Sequence, residues 1–134
     1  MALGLIKTTE RAELVCKSDP AIGEDSDEWM ESDKAKGAKK KGATVVTVRP
    51  LNDREIMRCG SVFRRIDFEA MDESATLSLA EAMEKVVSLA FIKVEESGET
   101  CESVDTVLQA IKVGPLISLG SWILAASSTS ADPT

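Results

Sequence analysis

Three cysteines, a run of clustered carboxylates and a stripe of arginines are the side chains in this chain with reactive or binding chemistry. Cys16, Cys59 and Cys101 are an odd number at wide separations, with no CxxC pair. Neither a disulfide framework nor a zinc cage can be read from that spacing, and a reducing compartment suits it. The chain has no His, so the commonest general base and the commonest zinc ligand are both missing. A Ser or Cys nucleophile would have to rely on Lys or carboxylates in ordinary contexts. Glu95-Glu96 and Asp72-Glu73 are adjacent carboxylates at helix boundaries, where the helix dipole and solubility account for them. The run GEDSDEWMESD alternates carboxylates as a calcium loop does, but it lacks the inner glycine and the terminal glutamate spacing of an EF-hand. No GxxxxGK[ST] or GxGxxG occurs, so no phosphate cradle is legible. The pattern predicts a protein that is not an enzyme and takes no cofactor and no metal.

The chain's 134 residues and 14.4 kDa have room for one compact domain and not for two well-filled cores. A formal net charge of -7 repels phosphate backbones and anionic lipid surfaces, which argues against nucleic acid and against membrane as partners. Tyr is absent and aromatics make up 4%, leaving few side chains to stack on bases. The opening MALGLIKTTERAEL lacks the apolar core of a signal peptide. The most apolar stretch, VGPLISLGSWILAA, is shorter than the roughly 20 residues needed to span a bilayer.

The elements that must position these groups follow from periodicity. Ala12 to Lys17 and the β-branched Thr44 to Val48 read as two strands paired antiparallel. Between them the acidic Glu24, Asp25, Asp27, Glu28, Glu31 and Asp33 precede Lys34, Lys36, Lys39, Lys40 and Lys41, a composition that reads as a mobile polar loop. Pro50 ends the second strand, and Asn52 or Asp53 caps a helix expected from Asp53 to about Phe68. Leu79, Met83, Val86, Val87, Ala90 and Phe91 keep helical spacing in a segment expected from Ser74 to about Lys93. A turn at Gly98 follows, then a short helix capped by Ser103 or Asp105, then Gly114-Pro115 and a final helix, Leu116 to Ala126. The expected class is α+β and mostly α, with an N-terminal antiparallel strand pair followed by about four helices. Residues 1–126 form the domain, with a polar charged insert at 18–43, and residues 127–134 are a flexible tail.

Two surfaces are candidates for a partner. The final helix is apolar almost all round, so Leu116, Leu119, Trp122 and Ile123 either fill the chain's own core or meet another protein. Arg54, Arg58 and Arg65 lie on one helical stripe, facing solvent or an acidic surface. Charge is segregated along the chain, since Glu69 to Ala110 holds ten acidic residues against two lysines. Such asymmetry can steer self-association, so a homo-oligomer is admitted.

The order of these pieces carries a resemblance. A strand ending in CKSDPA, a strand TVVTVRPLNDREIMR running into a helix, an acidic helical middle and a final VGPLISLGSWILAASS helix resemble the tail assembly chaperones and small tail-morphogenesis proteins of tailed bacteriophages. There a KSDP strand, a VRPL strand leading into xxRE, and an LPxxLxxLxxxIxxxS helix recur. The long Lys-rich insert, and Val113-Gly114-Pro115 in place of xLP, depart from that pattern. The resemblance implies a non-enzymatic phage morphogenesis protein in the host cell cytoplasm, shielding the tape-measure protein until tube subunits polymerise around it. The alternative is a structural virion component: a tail, neck or capsid-associated subunit. Because Lys34 to Lys41 carries almost no apolar area, deleting it is expected to leave cooperative thermal unfolding intact. Loss of the cooperative transition in calorimetry would contradict the loop reading.

Overall fold

Val45–Val48 reads VVTV, four β-branched residues in a row, and all four are buried. A strand apolar on both faces belongs in the middle of a sheet. That is where the computed structural model, which describes residues 11–32, 42–63 and 73–131, places it. In chain order the elements are β1 (Ala12–Cys16), β2 (Trp29–Glu31), β3 (Val45–Val48), α1 (Asp53–Phe63), α2 (Glu73–Ala90), β4 (Phe91–Glu96), β5 (Glu99–Cys101), α3 (Val104–Ala110) and α4 (Val113–Ala131). The strands form one antiparallel sheet in the order β2-β1-β3-β4-β5.

The alternation of side chains sorts the sheet into two faces. Leu14, Val46 and Val48 point toward α2 and α4 and join Met83, Val86, Val87, Leu116, Leu119 and Ile123 in the main core. On the other face Val15, Ala43 and Val45 form a smaller cluster, with Ala21, Ile22 and Met30 packed on it. The crossing of α2 and α4 is tight at Gly120. A Cβ there would collide with the Met83 side chain, lying 3.0 Å from its Cβ as well as against its sulfur. Among the described residues no helix is long and apolar enough to cross a membrane.

The expected pairing of the first two strong strands is present, as β1 with β3. The class is mixed α and β, but the strand pair grows to a sheet of five. Helical periodicity carries the second long helix to about Lys93; it stops at Ala90, and Phe91–Glu96 is a strand. The reason is the open edge of β3. Val46 pairs with Val94 and Thr47 with Lys93, satisfying backbone groups that a longer helix would leave bare. Ser97 and Gly98, with φ of 51° and 86°, then make the two-residue turn into β5, both central residues at positive φ as a type I′ hairpin requires.

The insert at 18–43 is likewise not all loop. Trp29–Glu31 pairs with β1, and Lys17 Nζ reaches Glu28 Oε2 at 2.9 Å. Charge counting overlooks the apolar pair Trp29-Met30 inside the acidic run. Lys34 to Lys41 and the helix end expected near Phe68 lie outside the described residues.

The final helix runs past the Ala126 end expected for it, since α4 continues through Ala131, and residues 132–134 lie outside the described residues. Ser127 is fully buried; its Oγ donates to Ile123 O at 2.7 Å and accepts from Leu51 N at 2.8 Å. A hydroxyl at this position satisfies a buried amide that no helix or strand serves. Ser127→Ala is therefore expected to destabilise the chain by about 1–3 kcal/mol, the cost of an unsatisfied buried donor, read as a lowered denaturation midpoint with an unchanged m-value.

Candidate interaction surfaces

The segment Arg49 to Glu55 is built by short-range hydrogen bonds that fix where α1 starts. Asn52 Oδ1 accepts from Glu55 N at 2.9 Å, and Glu55 Oε1 accepts from Asn52 N at 3.0 Å. This is a reciprocal capping box, so Asn52 rather than Asp53 is the cap. Glu55 is buried, and Arg49 grips it with two bonds, Nη1 to Oε1 at 2.9 Å and Nη2 to Oε2 at 2.7 Å. The guanidinium, with the Asn52 amide adding to it, holds the Glu55 carboxyl below its ordinary value against the opposing effect of burial. The N-x-x-E spacing in NDRE is the sequence signature of this box.

At the opposite end of the sheet Asp19 plays a matching part. Its Oδ1 accepts from Ala21 N at 2.9 Å and its Oδ2 from Thr44 N at 3.0 Å, tying the turn after β1 to the entry of β3. The neighbouring acidic segment docks on the start of α4. Trp29 Nε1 donates to Pro115 O at 2.9 Å, and the Asp27 carboxylate packs so closely on Gly114 that a Cβ there would run into it.

With these anchors the candidate partner residues separate. Leu116, Leu119 and Ile123 are buried in the chain's own core, so they do not form an open surface. Helical geometry explains this, because they share the α4 stripe that faces the sheet and α2. Trp122 is half-buried against the same core, and Ile117 and Leu124 are half-buried beside it. The α4 surface opposite the core carries Ser121 and Ala125, both exposed. Arg54 and Arg58 are exposed on α1 with Met57, which is 75% exposed, between them in sequence. Arg65 lies outside the described residues.

Sequence reasoning missed a cleft of about 980 Å³ between the sheet and α3 with the start of α4. Trp29, Val46, Val94, Val107 and Ile111 give it an apolar floor. Asp19, Asp25, Asp27, Glu96 and Glu99 line it with carboxylates, against Lys112 alone of the described cations. The acidic run and the pair Glu95-Glu96 carried the signal, but their convergence depends on β4 being a strand.

The cysteines stay apart and free. Burial pushes the Cys59 thiol up, whereas the Ser103 amide at 3.5 Å, helped by the Thr106 hydroxyl, holds the Cys101 thiol below its ordinary value. Among the described residues no three His, Cys, Asp or Glu side chains are placed to hold a metal ion.

No family model, curated protein or solved structure matches the chain.

Glu55 generates a pH prediction. A carboxyl whose folded value is depressed contributes stability that is present above its unfolded value and lost as pH falls through the folded one. Glu55→Gln is expected to cost about 1 kcal/mol at neutral pH and much less in acid. The gap between variant and parent denaturation midpoints should close as pH drops through the carboxylate range, and a gap constant with pH would contradict the assignment.

Proposed function

We propose that this chain is a non-enzymatic phage morphogenesis protein that shields an apolar helical partner, the tape-measure protein, as tail assembly chaperones do. The observation that carries the reading is the surplus of apolar side chains on α4. After Leu116, Leu119 and Ile123 are committed to the core, Ile117, Trp122 and Leu124 remain half-exposed on its flanks. The small Ser121 and Ala125 between those flanks let a partner helix approach closely, in the helix-in-groove mode.

Three pieces of the resembling pattern also touch one another, which supports reading them together. Leu51 of VRPL meets Ser127 of the final IxxxS, Glu55 of the xxRE position is held by Arg49, and Asp19 of KSDP is bonded to the strand that carries VRPL. These contacts account for the spacing of the pattern as scaffold, leaving the α4 flanks for recognition. Host cytoplasm during assembly is the matching location, and tail proteins, the tape-measure or tube protein first, are the matching partners.

The test is co-expression with the tape-measure protein of the source phage, beside mass spectrometry of purified virions. Capture of the tape-measure protein, with this chain absent from particles, is the expected result. Stoichiometric presence in particles would overturn the chaperone reading in favour of a virion subunit. Trp122→Glu, with Leu124→Glu as a second variant, is expected to reduce capture roughly tenfold or more. A Trp122→Glu chain that keeps both its melting temperature and its capture would remove α4 from the contact.

A further inference from the structure

We propose that the cleft between the sheet and α3 binds a linear aliphatic polyamine of about the length of spermidine, held by carboxylates at its two ends across an apolar floor. This goes beyond the reading above and uses a surface that reading leaves unoccupied.

Strand register places the parts of the site. Leu14, Val46, Val94 and Cys101 are paired in turn across β1, β3, β4 and β5, so their side chains share one face of the sheet. Glu96, two residues beyond Val94, lies on that face too and is paired with Glu99 of β5. Asp27 stands on the far side, where its carbonyl accepts from Cys16 Sγ of β1 at 3.7 Å, and Asp25 lines the cleft near it. Two strand spacings separate β1 from β4 and three separate it from β5, which puts the acidic ends roughly 10–14 Å apart. Val46 and Val94 form the floor between them, with Val107 and Ile111 as the apolar wall.

This layout selects among cations. The carboxylates are too far apart to cage a metal ion, and a compact ammonium ion would meet one end only. Asp25, Asp27, Glu96 and Glu99 form no ion pair with a described cation, and the apolar walls of a cleft focus such a field inward. Asp19 adds charge, but both its oxygens are engaged by Ala21 N and Thr44 N. A linear polyamine carries ammonium groups at both ends and methylenes between, so its charges meet carboxylates while its chain covers Val94 and Ile111. A basic peptide of equal charge would bring backbone amides onto the same apolar floor, where an unpartnered amide is costly.

Isothermal titration calorimetry of the full chain with spermidine, at fixed ionic strength, tests this without any tail protein. Spermidine is expected to bind one to one, roughly tenfold or more tighter than magnesium ion or than putrescine, which is too short to engage both ends. The double variants Glu96→Gln/Glu99→Gln and Asp25→Asn/Asp27→Asn, all at exposed positions, each neutralise one end. Each should weaken spermidine roughly tenfold and close the gap to putrescine. Glu81→Gln/Glu84→Gln, exposed on α2 and outside the cleft, removes the same charge and should change affinity by less than about twofold. In the unaltered chain the methyl resonances of Val94 and Ile111 should shift on titration. A chain that does not bind spermidine, or binds putrescine equally well, overturns the proposal. So does a loss at Glu81 and Glu84 equal to that at the cleft, which would show diffuse counter-ion attraction, or floor methyls that stay fixed. A tetralysine peptide that binds where spermidine does not would assign the cleft to a basic protein segment and overturn it as well.

Discussion

The last helix holds the domain together because it is pinned at both ends by side chains and backbone from the first half of the chain. Near its start, Pro115 O takes the Trp29 indole hydrogen; near its end, Ser127 Oγ takes the Leu51 amide. Between these pins Leu119 and Ile123 are fully buried against the sheet and α2, each burial favouring folding by about 1.5–3 kcal/mol. The two hydrogen bonds add direction to that non-directional attraction. They set the register of α4 along the sheet, which in turn determines which apolar side chains face inward and which are left on the flanks.

The same register leads to Gly120 and Gly114. One lets α4 approach Met83, the other lets the Asp27 carboxylate reach the first turn of α4. Negative charge near a helix start is favourable, so the acidic insert is held where its charge suits the dipole and where it walls the cleft. The half-exposed flanks of α4 and the cleft beneath its start are thus by-products of how one helix is seated.

Much of this is legible in the order and types of the residues. β-branched density marks β3, helical spacing marks α2, and the apolar excess of α4 identifies a helix needing cover on most sides. The rest depends on partners distant in sequence. Phe91–Glu96 continues the helical spacing of α2 locally, and only the unpaired edge of β3 turns it into a strand. Trp29–Glu31 is too short and too acidic to read as a strand until β1 is beside it. Ser127 reads as part of a polar tail because the amide it serves is 76 positions away. The carboxylates of the cleft are each visible in the sequence, but their convergence is not, since it needs β4, β5 and the insert placed together.

Folding order is the consequence of pinning by the final element. Leaving a ribosome, β1 and β3 can pair early, yet the face of the sheet carrying Leu14, Val46 and Val48 is only partly covered by α2 until α4 has emerged. Both pins close very long loops, which slows formation of the native topology and prolongs exposure of the apolar face. A nascent chain of this kind is committed to its structure only once α4 is available to be pinned.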